Sequence, residues 1–247
     1  MAAQRKLLTR RSGAVTAAVA LGALTVGMTP PASNGIKDLS AKEIAERAID
    51  ATRNADSLQL ESRGEIEESR YRTSLALDKR GDCRATDDID GESAQAIKTG
   101  DTTYTKGNDA FWKNYVDYFG GDAESATRVA EFMKDRWLSA PSGGDPVGLA
   151  QFCDADFWLQ GIGTGGLRKA GTTEVDGQPT VTLTRKKAGA TDTWYVASEG
   201  QPYLLKFTSV GGDWPVESTV KDYNRPIGVE APPADDVVDL NRFRELW

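Results

Sequence analysis

Apolar positions Ile44, Ala48, Ile49, Ala51 and Ala55 recur at helical spacing just after Ser40, with Glu43 three residues beyond that serine. Ser followed at the third position by Glu is a capping box, in which each side chain bonds the other's backbone N–H. An amphipathic helix is therefore predicted over roughly Ala41 to Asn54. From Ser57 the period changes to two, with Leu58, Leu60, Ser62, Gly64 and Ile66 alternating with Gln59, Glu61, Arg63, Glu65 and Glu67. That is a strand with one wet face. Tyr71, Thr73, Leu75 and Leu77 repeat the alternation. Short strands follow near Cys83 to Ile89, Ser93 to Lys98 and Thr102 to Lys106, separated by turns rich in Gly and Asp.

Helical spacing returns with Phe111, Trp112, Tyr115, Val116 and Phe119, and again with Ala126, Val129, Ala130, Met133 and Trp137. A third, short helix is predicted over Gln151 to Gln160. Beyond Leu167, strands resume around Thr172 to Val175, Thr180 to Thr184, Thr193 to Ala197, Tyr203 to Val210 and Val216 to Tyr223. Strands, then helices, then strands predict an α+β fold: a large antiparallel sheet must cover its apolar face, and the helices are what can cover it. A sheet of about ten strands twists and curls around its cover. The expectation is a large curved half-barrel with helices packed in its concave face.

The start of the chain follows a different rule. Arg5, Lys6, Arg10 and Arg11 precede an apolar run from Ala14 to Met28 and then small residues with Pro30 and Pro31, the order of a secretory signal peptide. The run is shorter than the roughly 20 residues that a bilayer span needs. Residues 1–35 are read as the signal and residues 36–247 as a single domain, since no linker divides them. The chain carries a formal net charge of −7, and its first 35 residues hold basic groups and no acidic ones, so the remainder is more acidic still. Such a surface repels nucleic acid.

Two cysteines, Cys83 and Cys153, in an exported protein read as a disulfide, the alternative being two buried thiols. There is no histidine. That removes the usual general base, the Ser-His and Cys-His nucleophile pairs and the commonest metal ligand, so no enzyme, cofactor or metal is expected. Gly161 to Gly166 matches G-x-G-x-x-G in letters, but a dinucleotide site needs a strand before it and a helix after it. Here the order is reversed, which predicts a helix-to-strand connector. Asp87 to Glu92 resembles a calcium loop, yet Ile97 stands where the bidentate carboxylate belongs. It reads as a solvated acidic turn. Asp154 and Asp156 fit the first turn of a helix, where negative charge is favourable.

The segments Tyr104 to Trp112 (YTKGNDAFW), Gly171 to Pro179 (GTTEVDGQP) and Ala231 to Asp235 (APPAD) resemble those of actinobacterial exported lipoproteins of the LppX/LprG type, in that order along Leu39 to Leu240. Some members of that group also carry a cysteine pair where Cys83 and Cys153 stand. The resemblance implies a LolA-like fold, a half-open antiparallel barrel that holds acyl chains or a lipid-modified partner between sheet and helices. Met28 occupies the place of the usual lipidated cysteine, so the expected protein is secreted or envelope-associated without that anchor.

The aromatic stripe of Phe111, Trp112, Tyr115 and Phe119, with Phe132, Trp137, Phe157 and Trp158 later, bears most directly on function. Such residues either fill a core or line an apolar cavity. In the cavity reading, Leu60, Leu75, Ile97, Trp112, Tyr115 and Phe119 form the wall of a site for a lipid or other hydrophobic molecule, with no catalysis and a monomeric carrier. In the other reading the core is solid and the fold is an envelope module that binds or senses a protein partner.

Overall fold

The computed structural model describes residues 32–144, 148–160 and 162–246. The signal-peptide reading falls, up to residue 31, outside the described residues. Ser33 already bridges to Glu199, and Asn34 bonds the backbone carbonyls of Ala197 and Ser198, so contacts to the sheet reach residues before 36.

Helix α1 (Ala41–Arg53) starts at Ser40, whose hydroxyl and the Glu43 carboxylate form the capping box. A meander follows: β1 (Ser57–Ile66), β2 (Ser69–Asp78), β3 (Cys83–Ile89), β4 (Glu92–Thr99) and β5 (Thr102–Gly107). The chain then forms α2 (Asp109–Tyr118), α3 (Ala123–Met133), β6 (Trp137–Pro141), a 3-10 turn (Leu149–Cys153) and α4 (Ala155–Leu159). A second meander comprises β7 (Arg168–Val175), β8 (Gln178–Lys187), β9 (Ala190–Ala197), β10 (Leu204–Val210) and β11 (Val216–Lys221), before β12 (Val237–Asp239) and α5 (Leu240–Arg244).

All twelve strands join one open sheet in the order β12-β6-β5-β4-β3-β2-β1-β11-β10-β9-β8-β7. The two meanders meet where β1 pairs with β11. Every neighbour is antiparallel except β12 with β6, which makes the sheet mixed. The α+β class and the single large sheet are as predicted; two strands were not. Helical spacing predicts Trp137 in a helix, but Asp135 takes a left-handed φ of 62°, the helix stops at Met133, and Trp137 opens β6. The three residues of β12 are too few to show a period. The predicted helix over Gln151 to Gln160 is broken at Asp154, whose extended backbone ends the 3-10 turn and caps α4.

The strand register places one buried residue per strand in a line across eight strands: Val220, Leu60, Leu75, Ala85, Ala96, Thr105, Leu138 and Val238. Every helix that packs on the sheet uses this face. Ile44, Ala45 and Ala48 of α1 meet Val181, Leu183, Trp194 and Val196 at one end. Trp112 and Val116 of α2, Val129 and Met133 of α3 and Phe243 of α5 meet Leu138 and Val238 at the other. The edge strand β7 is exposed along nearly its whole length, and its pairing with β8 slips between Lys169 and Gly171.

Leu75 sits mid-line, buried between its buried register partners Leu60 and Ala85. Leu75→Ala is expected to lower unfolding free energy by about 2–5 kcal/mol, read from the urea midpoint at unchanged m-value.

Candidate functional site

Between the ground covered by α1 and that covered by α2 and α3 lies a third apolar cluster. Its floor is Leu58 and Leu60 of β1, Leu75 and Leu77 of β2, Ala85, Ala96 and Val220. Its cover is the 3-10 turn and α4. The turn lies against β2, β3 and β4, and a disulfide ties it down between Cys83, at the start of β3, and Cys153. The expected disulfide is thus present. Ala155 and Trp158 of α4 pack onto the floor. Asp154 caps α4 through the Asp156 N–H, and Asp156 accepts from the Arg53 guanidinium at 2.5 Å, joining α4 to the end of α1.

The end of α1 is itself fixed to the sheet. The Thr52 hydroxyl accepts from the Leu204 N–H at 3.1 Å, and the Tyr223 hydroxyl donates to the Leu204 carbonyl at 2.6 Å. Tyr203 stacks on Tyr223 with ring centroids 3.9 Å apart. Burial pushes the Tyr223 phenol far above its ordinary range, so it stays a neutral donor.

The six predicted wall residues do not form one site. Leu60 and Leu75 lie on the floor. Trp112, fully buried, and Tyr115, half-buried, belong to the α2–α3–α5 cluster, where Trp112 packs against Phe243 at 5.4 Å. Phe119, just past α2, is 53% exposed and rests against Tyr115. Ile97 pairs with Arg84 and Tyr104 on the opposite face of the sheet, because it is the pleat neighbour of Ala96. Leu58, Leu77 and Val220 complete the floor and were not singled out; their signal was the same period of two that marked Leu60 and Leu75. In the sequence Trp158 stands out only as part of the aromatic stripe.

One row beyond the floor, on the same face, the residues turn polar. The Ser62 and Ser218 hydroxyls meet at 2.9 Å, and the Thr73 hydroxyl donates to the Asp87 carboxylate at 2.6 Å. Burial raises the Asp87 pKa, against the lowering effect of that bond. A cavity of about 880 Å³ lies against the meander. Its lining includes Glu61, Arg63, Arg72, Gln95, Lys106 and Glu217, pleat alternates of the buried rows, together with Ser62, Thr73 and Asp87 of the polar row. None of the six predicted residues lines it. Its charges are interlocked: Glu217 accepts from Lys206 at 2.6 Å and Arg63 at 2.8 Å, which together hold its carboxyl down at about 2. This trough suits polar groups, not a hydrocarbon chain.

The remaining motifs have structural roles. Arg185 donates to the carbonyls of Gly163 and Gly165 and pairs with Asp192 at 2.7 Å, so the glycine-rich segment presents acceptors to a cation instead of N–H groups to a phosphate. Asp87 and Asp88 point to opposite faces of β3. Among the described residues, no group of three or more acidic or cysteine side chains is placed to hold a metal, and no helix is long and apolar enough to cross a membrane.

No protein-family model and no curated protein matches the chain. Among solved structures it is similar to LprF from Mycobacterium bovis, at 15% identity over 83% of this chain and 100% of that one, with a TM-score of 0.51. A second neighbour is the lipoprotein LppX from Mycobacterium tuberculosis, at 15% identity over 77% of this chain and 98% of that one, TM-score 0.47. The likeness to LprF shows the fold, the one implied by the resemblance to the LppX/LprG-type lipoproteins.

The raised Asp87 pKa means that the folded chain holds this proton more tightly than the unfolded one. Its contribution to stability is present below the ordinary carboxylate range and is lost as pH rises through the folded pKa. Asp87→Asn removes that dependence. The stability of the parent chain relative to this variant should therefore fall as pH rises from the ordinary carboxylate range through the raised pKa of the folded state, measured as paired urea midpoints.

Proposed function

We propose that the chain is an exported, non-catalytic binding protein for a lipid or other hydrophobic molecule, held between the sheet and its helices. The observation that carries this reading is the unequal cover of the apolar face. Long helices pack both ends, whereas among the described residues the leucine floor between them is covered by a 3-10 turn, the five residues of α4 and Tyr223. A ligand that displaced this cover would find a ready apolar surface, and apolar lining is what such sites use. The fold shared with LprF supports the same reading by analogy. The lack of histidine supports a role without bond chemistry. The export signal expected over residues 1–35 ends before Ser33 in this reading, because Ser33 and Asn34 bond to β9 and the residues after it.

A second reading, an envelope module that binds a protein partner, draws on the exposed side chains at one end of the sheet. Ile66, Ile89, Val210 and Trp214 sit at or beside strand ends where β1, β3, β10 and β11 turn, and Trp214 is 71% exposed. Clustered exposed apolar residues mark interaction surfaces.

Native mass spectrometry of the protein purified from its own host, followed by organic extraction, separates the two. The expected result is a stoichiometric lipid that is lost in Leu60→Asn while the circular dichroism spectrum is kept. A bare sequence mass, together with failure to take up added lipid, would overturn the carrier reading in favour of the partner reading.

A further inference from the structure

We propose that α4 is a door over a site for a single hydrocarbon chain, with the Trp158 indole as its plug and the Arg53–Asp156 pair as its latch. This rests on the lipid-binding reading and gives it a place, a ligand class and a moving part.

The floor sets the ligand class. From Val220 across Leu60 and Leu75 to Ala85 and Ala96 it spans five strands, about 20 Å at the usual strand spacing. Along the strands only Leu58 and Leu60, opposite Leu77 and Leu75, contribute large apolar side chains before the polar row of Ser62 and Thr73 begins, a width of about 7 Å. A strip of that shape admits one extended chain lying across the strands and leaves no room for two side by side. Trp158 now rests on this strip.

The cover is built to move as a unit. On one side it is anchored by a disulfide whose two cysteines are both buried, which makes the bond a fixed pivot. On the other, the connector that follows α4 is held by Arg185 through the Gly163 and Gly165 carbonyls, and Arg185 is itself locked to Asp192. Between these two posts, α4 is a helix of five residues, too short to persist by its own hydrogen bonds. Its ion pair to α1 joins two half-exposed side chains, at 43% and 49% exposure, and such pairs are weak and salt-sensitive. The Trp158 Nε1 is buried without a hydrogen-bond acceptor, so the closed door leaves a desolvated donor unsatisfied. A plug that fits imperfectly, on a short helix with a weak latch, is poised to yield to a better occupant.

The test is palmitate binding to the full mature chain, with wild type, Trp158→Ala, Asp156→Ala and Arg53→Ala compared by calorimetry and native mass spectrometry. Thermal transitions would confirm that each variant is folded. Closing a site weakens apparent affinity by the fraction of time it is open, so Trp158→Ala should bind palmitate about tenfold more tightly than wild type. Each latch variant should gain roughly threefold, as befits a surface ion pair. Added salt should tighten binding by wild type and leave Asp156→Ala unchanged. One palmitate per chain is expected, with diacyl phosphatidylcholine not retained. Equal affinity in all four proteins, or retention of the diacyl lipid as readily as palmitate, would overturn the door while leaving the lipid-binding reading standing. If no form binds palmitate and the host-purified protein carries no lipid, the lipid-binding reading itself fails and the door with it.

Discussion

An open sheet of twelve strands with one apolar face cannot stand in water until that face is covered, and the placement of the other elements follows from this requirement. The line from Val220 to Val238 crosses eight strands without a charged residue. Covering it takes more surface than one helix offers. The chain meets the need with separate pieces: α1 from before the first meander, α2 to α4 from the insertion between the meanders, and α5 from the end.

These pieces are not equivalent. The capping box gives α1 a fixed start, and the Thr52, Leu204 and Tyr223 bonds fix its end to the far side of the sheet. Helices α2 and α3 pack on each other, and α2 meets α5 through the ring contacts of Trp112 and Tyr115 with Phe243. The middle piece has neither length nor a cap at both ends, and a covalent bond does the holding there. Rigidity at the flanks and weak cover at the centre come from the same division of one face among unequal elements.

How much of this was readable in the sequence depends on how local each signal was. Period-two alternation from Leu58 to Ile66 and the Ser40 to Glu43 box are short-range, and both appear as read. Helical spacing misled at Trp137, because Asp135 breaks the helix by a left-handed turn that spacing does not encode. The candidate site was half legible. Alternation gave Leu60 and Leu75 their face, but Ile97 has the same chemistry as its core neighbours and only the register shows that it points the other way. Trp112 and Trp158 look alike in the sequence. One is sealed beneath α5 and the other is carried by a five-residue helix, and the sealing is done by β12 and α5, more than a hundred residues downstream of Trp112.

An open sheet also has two ends at which an unrelated strand could dock and extend the ladder. Here β12 offers three residues, too short to serve as a template, and β7 offers eight that are interrupted by the slip at Gly171 and carry Arg168, Lys169 and Glu174. Kinked or charged borders of this kind discourage edge-to-edge growth. The chain can therefore hold a wide open sheet without becoming the first layer of a fibre.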